Sequence, residues 1–235
     1  MTAADIVEEL KGLGSESTKK VLLKHGAKEP FYGVKIEDLK KIQKRIRTNH
    51  QLALDLYDTG ISDAMYLAGL IADDGRMTKK DLQRWAEKAP WSLIGEYTVA
   101  WVAAGGPHGR ELALEWIEAE RPNMATIGWS TLTSLVAIKP DEELNVAELK
   151  KLLKRIETTM HKQPDRIRYV MNAFVIALAC YVAPLTEAAL QTAGKIGKVS
   201  ADMGATACKV PSAVEYIKKV QERGTIGKKR KSAKC

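Results

Sequence analysis

The sequence predicts an all-α chain built from helix pairs, either stacked as a solenoid or gathered into a globular bundle. Apolar residues recur at helical spacing in almost every segment, and no segment sustains the alternation with β-branched enrichment that marks a strand. Beyond Asn49 the helices arrive in pairs, roughly every 35 to 45 residues, as in arrays whose units bury their apolar faces only by stacking. With 235 residues, 45% of them hydrophobic, the chain can build an adequate core.

Each element has its own signal. A first helix over residues 3–11 buries Ile6, Val7 and Leu10 and stops at Gly12 and Gly14. A second begins near Ser15 to Thr18 and carries Val21, Leu22 and Leu23 as far as Gly26. A turn punctuated by Pro30 and Gly33 leads to a basic helix, residues 36–47, with Ile36, Leu39, Ile42 and Ile46 on its apolar face. His50 to Tyr57 is short, and Ser62 is expected to cap a helix reaching Ala72. Thr78 and Asp81 have the spacing of a capping box, in which hydroxyl and acid each satisfy a free N–H, and open a helix through Ala89. Further helices are predicted over residues 108–119 and 124–138. Asn145 and Glu148 cap the next, ending near His161; Pro164 starts an apolar one to Val182, and Pro184 starts another that ends at Gly194 or Gly197. After a small, polar stretch, a last helix is expected over residues 212–223, followed by a mobile basic tail. The organisation is thus a helical domain over 1–197 and an extension over 198–235.

The stretch from Lys88 to Trp101 is predicted as a helix beginning near Trp91, because Pro90 suits a first helical turn. At ordinary helical pitch Trp91, Ile94, Tyr97 or Thr98, and Trp101 share one face, as does Gly95 one turn beyond Trp91. Such a stripe serves as core packing or as a ring platform for a ligand. Glu96, the only acid in this helix, lies about 140° round from Trp91 at that pitch.

Charge is unevenly spread. Lys and Arg outnumber Asp and Glu by 37 to 29, but nine of the basic residues and only two acids follow residue 208, leaving 28 against 27 before it. A basic end favours an anionic partner, nucleic acid or membrane surface, unless it merely solubilises. The longest apolar run, Phe174 to Ala183, is far shorter than the roughly 20 residues that a spanning helix needs. No signal peptide is evident, and three distant cysteines imply no disulfide framework, so a cytoplasmic protein is expected. Four scattered histidines without cysteine neighbours argue against zinc, and no phosphate-cradling glycine loop or nucleophile elbow is present. What remains is cations interleaved with aromatics. Lys40, Lys44, Arg45 and Arg47 form one group, Arg166 and Arg168 with Tyr169 a second, and Lys228, Lys229, Arg230 and Lys231 a third, with Trp91 and Trp129 as candidate rings.

The turn Phe31-Tyr32-Gly33-Val34-Lys35 opening the basic helix, the helix pair from Asp63 through Trp85 to Trp91, and the order of helices to Gly197 carry a resemblance. The chain resembles DNA alkylation repair proteins of the HEAT-like repeat type, the AlkD-like alkylpurine DNA glycosylases. The resemblance implies a right-handed solenoid of HEAT-like helix pairs, a monomer without cofactor or metal, and alkylated duplex DNA as partner, held on a concave basic surface. It also implies a site in which Trp is followed four residues later by Asp, whose carboxylate stabilises the cationic sugar formed as an alkylated base leaves. Trp91 matches the aromatic, and the Asp position falls on Gly95. The family's arginine falls on or near Trp129, and its second aromatic near Ile176. Glu96 is the candidate catalytic residue only if the helix rotates or bulges. Three functions follow as expectations: a DNA-binding protein without the family carboxylate, an active glycosylase for cationic N3- or N7-alkylpurines, or a protein-binding HEAT scaffold.

Overall fold

The computed structural model describes residues 1–204, 206 and 208–234. Among them every regular element is helical. The chain groups into two compact units: Met1–Leu112 with Gly204, Thr206 and Lys234, and Ala113–Met203 with the chain from Cys208 to Ala233. The extension expected at 198–235 includes Ala205, Ala207 and Cys235, which lie outside the described residues.

The first unit contains α1 (Ala3–Leu13), α2 (Glu16–Lys24), α3 (Ile36–Ile46), α4 (His50–Asp58), α5 (Ser62–Ile71) and α6 (Lys79–Lys88). A π-helix, Leu93–Val99, then continues into α7 (Ala100–Gly105). Local chemistry fixes the helix starts. The capping box of Thr78 and Asp81 forms on α6, and Thr2 and Asp5 make a second on α1. Every residue of α5 is buried, which its apolar sequence on all sides allows. Ser62 does not cap it; Ile61 holds the cap position, and the Ser62 hydroxyl accepts from the Trp91 indole at 3.2 Å. Asp63, in the first turn of α5 and 5% exposed, accepts from the backbone of Tyr32 at 2.6 Å and Val34 at 2.9 Å. That carboxylate therefore fastens the Phe31–Lys35 turn onto α5. Gly33 completes the fit, because its φ of +78° and a neighbouring backbone 2.8 Å from any added Cβ exclude other residues. Tyr57 stacks on Trp85 with centroids 4.0 Å apart and donates its hydroxyl to the Trp85 carbonyl. In α2 no residue is buried, and Val21 and Leu23 are exposed.

The boundary between the units falls within α8 (Gly109–Trp116). Beyond it come α9 (Pro122–Ile138), α10 (Val146–Thr159), α11 (Asp165–Tyr181), α12 (Thr186–Ile196) and α13 (Ala213–Glu222). Asn145 caps α10 and Ser212 caps α13, each side chain accepting from the backbone N–H three residues on. The long helices α9 and α11 form the centre of this unit, and the Trp129 ring packs against Phe174 at 5.3 Å. Gly128 lets α9 approach α8 closely, since a Cβ there would lie 2.7 Å from the Ile117 nitrogen. The basic end, expected to be mobile, is tied by hydrogen bonds to α9 and α11. Gly227 donates to the Cys180 carbonyl and Arg230 to that of Ala137, both at 2.8 Å, and Ala233 is buried.

Candidate nucleic-acid interface

The central stretch departs from ordinary helical pitch. Trp91 lies in a bend before the helix, half-buried, and the following turns are π-helical, with the Ala100 N–H reaching the Gly95 carbonyl five residues back. The wider turn breaks up the stripe expected at 3.6 residues per turn. Thr98 is fully buried and packs on Gly69 of α5, whereas Tyr97 is 39% exposed. Trp101 is buried, edge-on to Tyr66 and Tyr97. Gly95 is buried without a side chain, and Glu96, in the same π-turn, is 6% exposed.

The cations separate by what holds them. On α3, Arg45 pairs with Glu9 at 2.5 Å and Lys41 with Asp38 at 2.7 Å. Lys40 and Lys44, one helical turn apart, and Arg47, the positive-φ residue that ends the helix, hold no ion pair among the described residues. In the second unit the Arg166 guanidinium lies 4.7 Å from the Tyr169 ring. Arg168 is engaged at the start of α11, donating to the carbonyls of Gln163 and Ser200 and to Asp165. Trp129 is 1% exposed and has the Arg155 guanidinium 5.9 Å from its ring, so it is a core ring here rather than a surface platform. Ile176 is buried as well.

The third group divides in the same way. The Lys229 ammonium donates to the Val136 carbonyl in the last turn of α9 and pairs with Asp141 at 2.8 Å. In the first unit Lys234 does the same for α5, donating to the Ala72 carbonyl at 2.8 Å and pairing with Asp74 at 2.7 Å. Both sit where unpaired carbonyls give a helix its negative end. Burial pushes the Asp74 carboxyl above its ordinary range, and Lys234 opposes that rise. Lys228, Arg230 and Lys231 are exposed.

Lys228 and Arg230 also border a cavity of about 540 Å³ in the second unit, which sequence reasoning missed. Small side chains on α9 and α11 leave the space: Ser134, Ala137, Ala173 and Ala177. Around them stand Tyr169, Tyr181 and Tyr216. The signal was present as alanines one helical turn apart between tyrosines on α11, but only α13 and the C-terminal segment make it a cavity. Burial raises the Tyr181 hydroxyl pKa, with Arg230 acting against it, and raises the Cys180 thiol to about 11.

A family model described as DNA alkylation repair enzyme matches residues 6–217. The chain belongs to that family. A solved structure with 33% identity and a TM-score of 0.92, covering 100% of both chains, comes from a family of proteins related to the HEAT-like repeat DNA glycosylases with affinity for branched DNA structures. The fold is accordingly the all-α, HEAT-like superhelix that the helix pairs predict. Two bacterial relatives, the uncharacterized proteins Lin0241 of Listeria innocua serovar 6a and Lmo0209 of Listeria monocytogenes serovar 1/2a, are each 33% identical over 221 residues, covering 92% of this chain and 95% of theirs. Among the described residues this family member has no cluster of His, Cys, Asp or Glu suited to a metal ion, and no single helix is long and apolar enough to cross a membrane.

Proposed function

We propose that the protein binds DNA through its phosphates, favours branched over plain duplex DNA, and does not excise bases by the family's carboxylate mechanism. The observation carrying this reading is the full-length likeness to a structure whose family has affinity for branched DNA. Lys40, Lys44 and Arg47 support it as a row of cations free to neutralise phosphates. Gly95 supports the second half, since a glycine supplies no charge to a developing oxocarbenium ion. Removing one preorganised charge-stabilising group typically costs about 10²- to 10³-fold, or about 2.7 to 4 kcal/mol. Glu96, buried in the π-turn, favours a second reading, excision of cationic alkylpurines by a displaced carboxylate.

One pair of assays tests both. Fluorescence anisotropy should give tighter binding to a four-way junction than to duplexes of equal length, alkylated or not. Release of N7-methylguanine from alkylated duplex should stay within about tenfold of the uncatalysed rate, about 1.4 kcal/mol of barrier. Glu96→Gln should leave that rate unchanged, and Gly95→Asp should raise it. Strong release by the natural sequence, lost in Glu96→Gln, would establish the second reading instead. Equal affinity for junction and duplex would remove the preference for branches.

A further inference from the structure

We propose that the tyrosine-walled cavity of the second unit receives one unpaired nucleotide of a DNA strand, its base against the rings and its phosphate on Lys228 and Arg230. The inference rests on the DNA-binding reading above and deepens it. A cavity of about 540 Å³ lies within the range of small-molecule sites, typically about 300 to 1,000 Å³. It is held open by sequence rather than by loose packing. Between Tyr169 and Tyr181 the face of α11 carries Ala173 and Ala177, and the facing part of α9 carries Ser134 and Ala137, so no long side chain fills the space.

The walls select the chemistry. Tyr181 is half-buried, and Tyr216 is half exposed although large and aromatic, a combination suited to stacking a planar ring. Among the described residues the lining includes three cations and no carboxylate. Of the three, Lys229 is already engaged by Asp141 and the end of α9, whereas Lys228 and Arg230 hold no ion pair among the described residues. Arg230 acts electrostatically on the Tyr181 hydroxyl, so cation and ring serve the same space. The hydroxyl of Ser134 offers a donor and acceptors to a base edge, and that of Thr133, which donates to the Trp129 carbonyl, offers an acceptor. A planar ring joined to an anion is what this set recognises, and a nucleotide is that ligand. Within paired duplex the base is stacked and its edge occupied; at a branch point with unpaired nucleotides both are free.

The probe is a three-way junction with 2-aminopurine at an unpaired branch position, compared with the same base placed inside a paired arm. On adding the full chain, emission at the branch position should change severalfold and emission from the arm should not. Tyr216→Ala, at an exposed surface position, should narrow the preference for the junction with unpaired nucleotides over a fully paired junction by about tenfold, or about 1.4 kcal/mol. Lys228→Ala should narrow it in the same direction. A junction bound with unchanged branch emission, or with preference unaltered in both variants, would overturn the pocket while leaving DNA binding intact. Absence of binding to any DNA would overturn both readings. Binding of free dAMP that Tyr216→Ala abolishes, together with unchanged branch emission when the junction is bound, would overturn the strand assignment in favour of a soluble nucleotide.

Discussion

The α3 stripe and the C-terminal segment are alike in composition and opposite in use. Lys40 and Lys44 on α3 and Arg47 at its C-terminal end hold no ion pair among the described residues, so their charge is left for a partner. In the segment after α13, Lys229 and Lys234 lie largely buried with their ammonium groups on helix carbonyls and on Asp141 and Asp74. A lysine count measures charge, but the availability of that charge depends on whether the fold has already found it an acceptor. The region richest in cations by sequence is therefore partly a set of helix caps, with Lys228, Arg230 and Lys231 left exposed beside them.

The sharpest break of that contrast is the triple variant of Lys40, Lys44 and Arg47 to Ala. Each lost phosphate contact removes about 0.9 from the slope of log affinity against log salt, so the slope should fall by about 2.7. Affinity at 0.1 M salt should fall on the order of a hundredfold, about 2.7 kcal/mol, by anisotropy titration at several salt concentrations. Unfolding midpoints should barely move, since these side chains hold nothing in the fold.

Lys234→Ala should act on stability instead, lowering it by about 1 to 3 kcal/mol at pH 7, because it leaves the largely buried Asp74 carboxylate without its cation. The pH dependence follows in sign. The folded-state pKa of Asp74 lies above its ordinary value, so any stability tied to its protonated form is present at low pH and lost as pH rises through the folded pKa. Without Lys234 that pKa rises further, and the deficit against the natural sequence should shrink as pH falls from 7 towards 4 in urea titrations. A constant deficit across that range would show that Lys234 acts through packing alone.

Smallest is Lys41→Ala. Its partner Asp38 lies on the same helix three residues away, and exposed pairs of this kind contribute about 0 to 1 kcal/mol. Stability and DNA affinity should both stay within about twofold, or about 0.4 kcal/mol. An effect as large as one third of the triple variant would place Lys41 in the open row.

The helices were legible because their determinants are local. Thr78 and Asp81, or Asn145 and Glu148, announce a start within four residues. What was not legible depends on distant partners. The hydrogen bonds that fix the basic end join Lys229 to Val136 and Lys234 to Ala72, 93 and 162 residues earlier, and no composition rule foresees them. Val21 and Leu23 show the converse, apolar residues in a helix that no neighbouring element buries. At the site, Trp91 is half-buried and Lys44 and Arg47 are exposed, whereas Trp129 is buried, because an indole gives the same sequence signal in a core as on a surface.

The π-helix at Leu93–Val99 makes correspondence with a relative depend on the direction of counting. A π-turn holds one residue more than the α-turn it replaces. Counting forward from Trp91, the position four residues on is Gly95; counting backward from Trp101 towards a relative that lacks the extra residue, the same position is Glu96. An insertion absorbed in this way leaves both flanks of the solenoid undisturbed and lets one residue change its neighbours without any substitution.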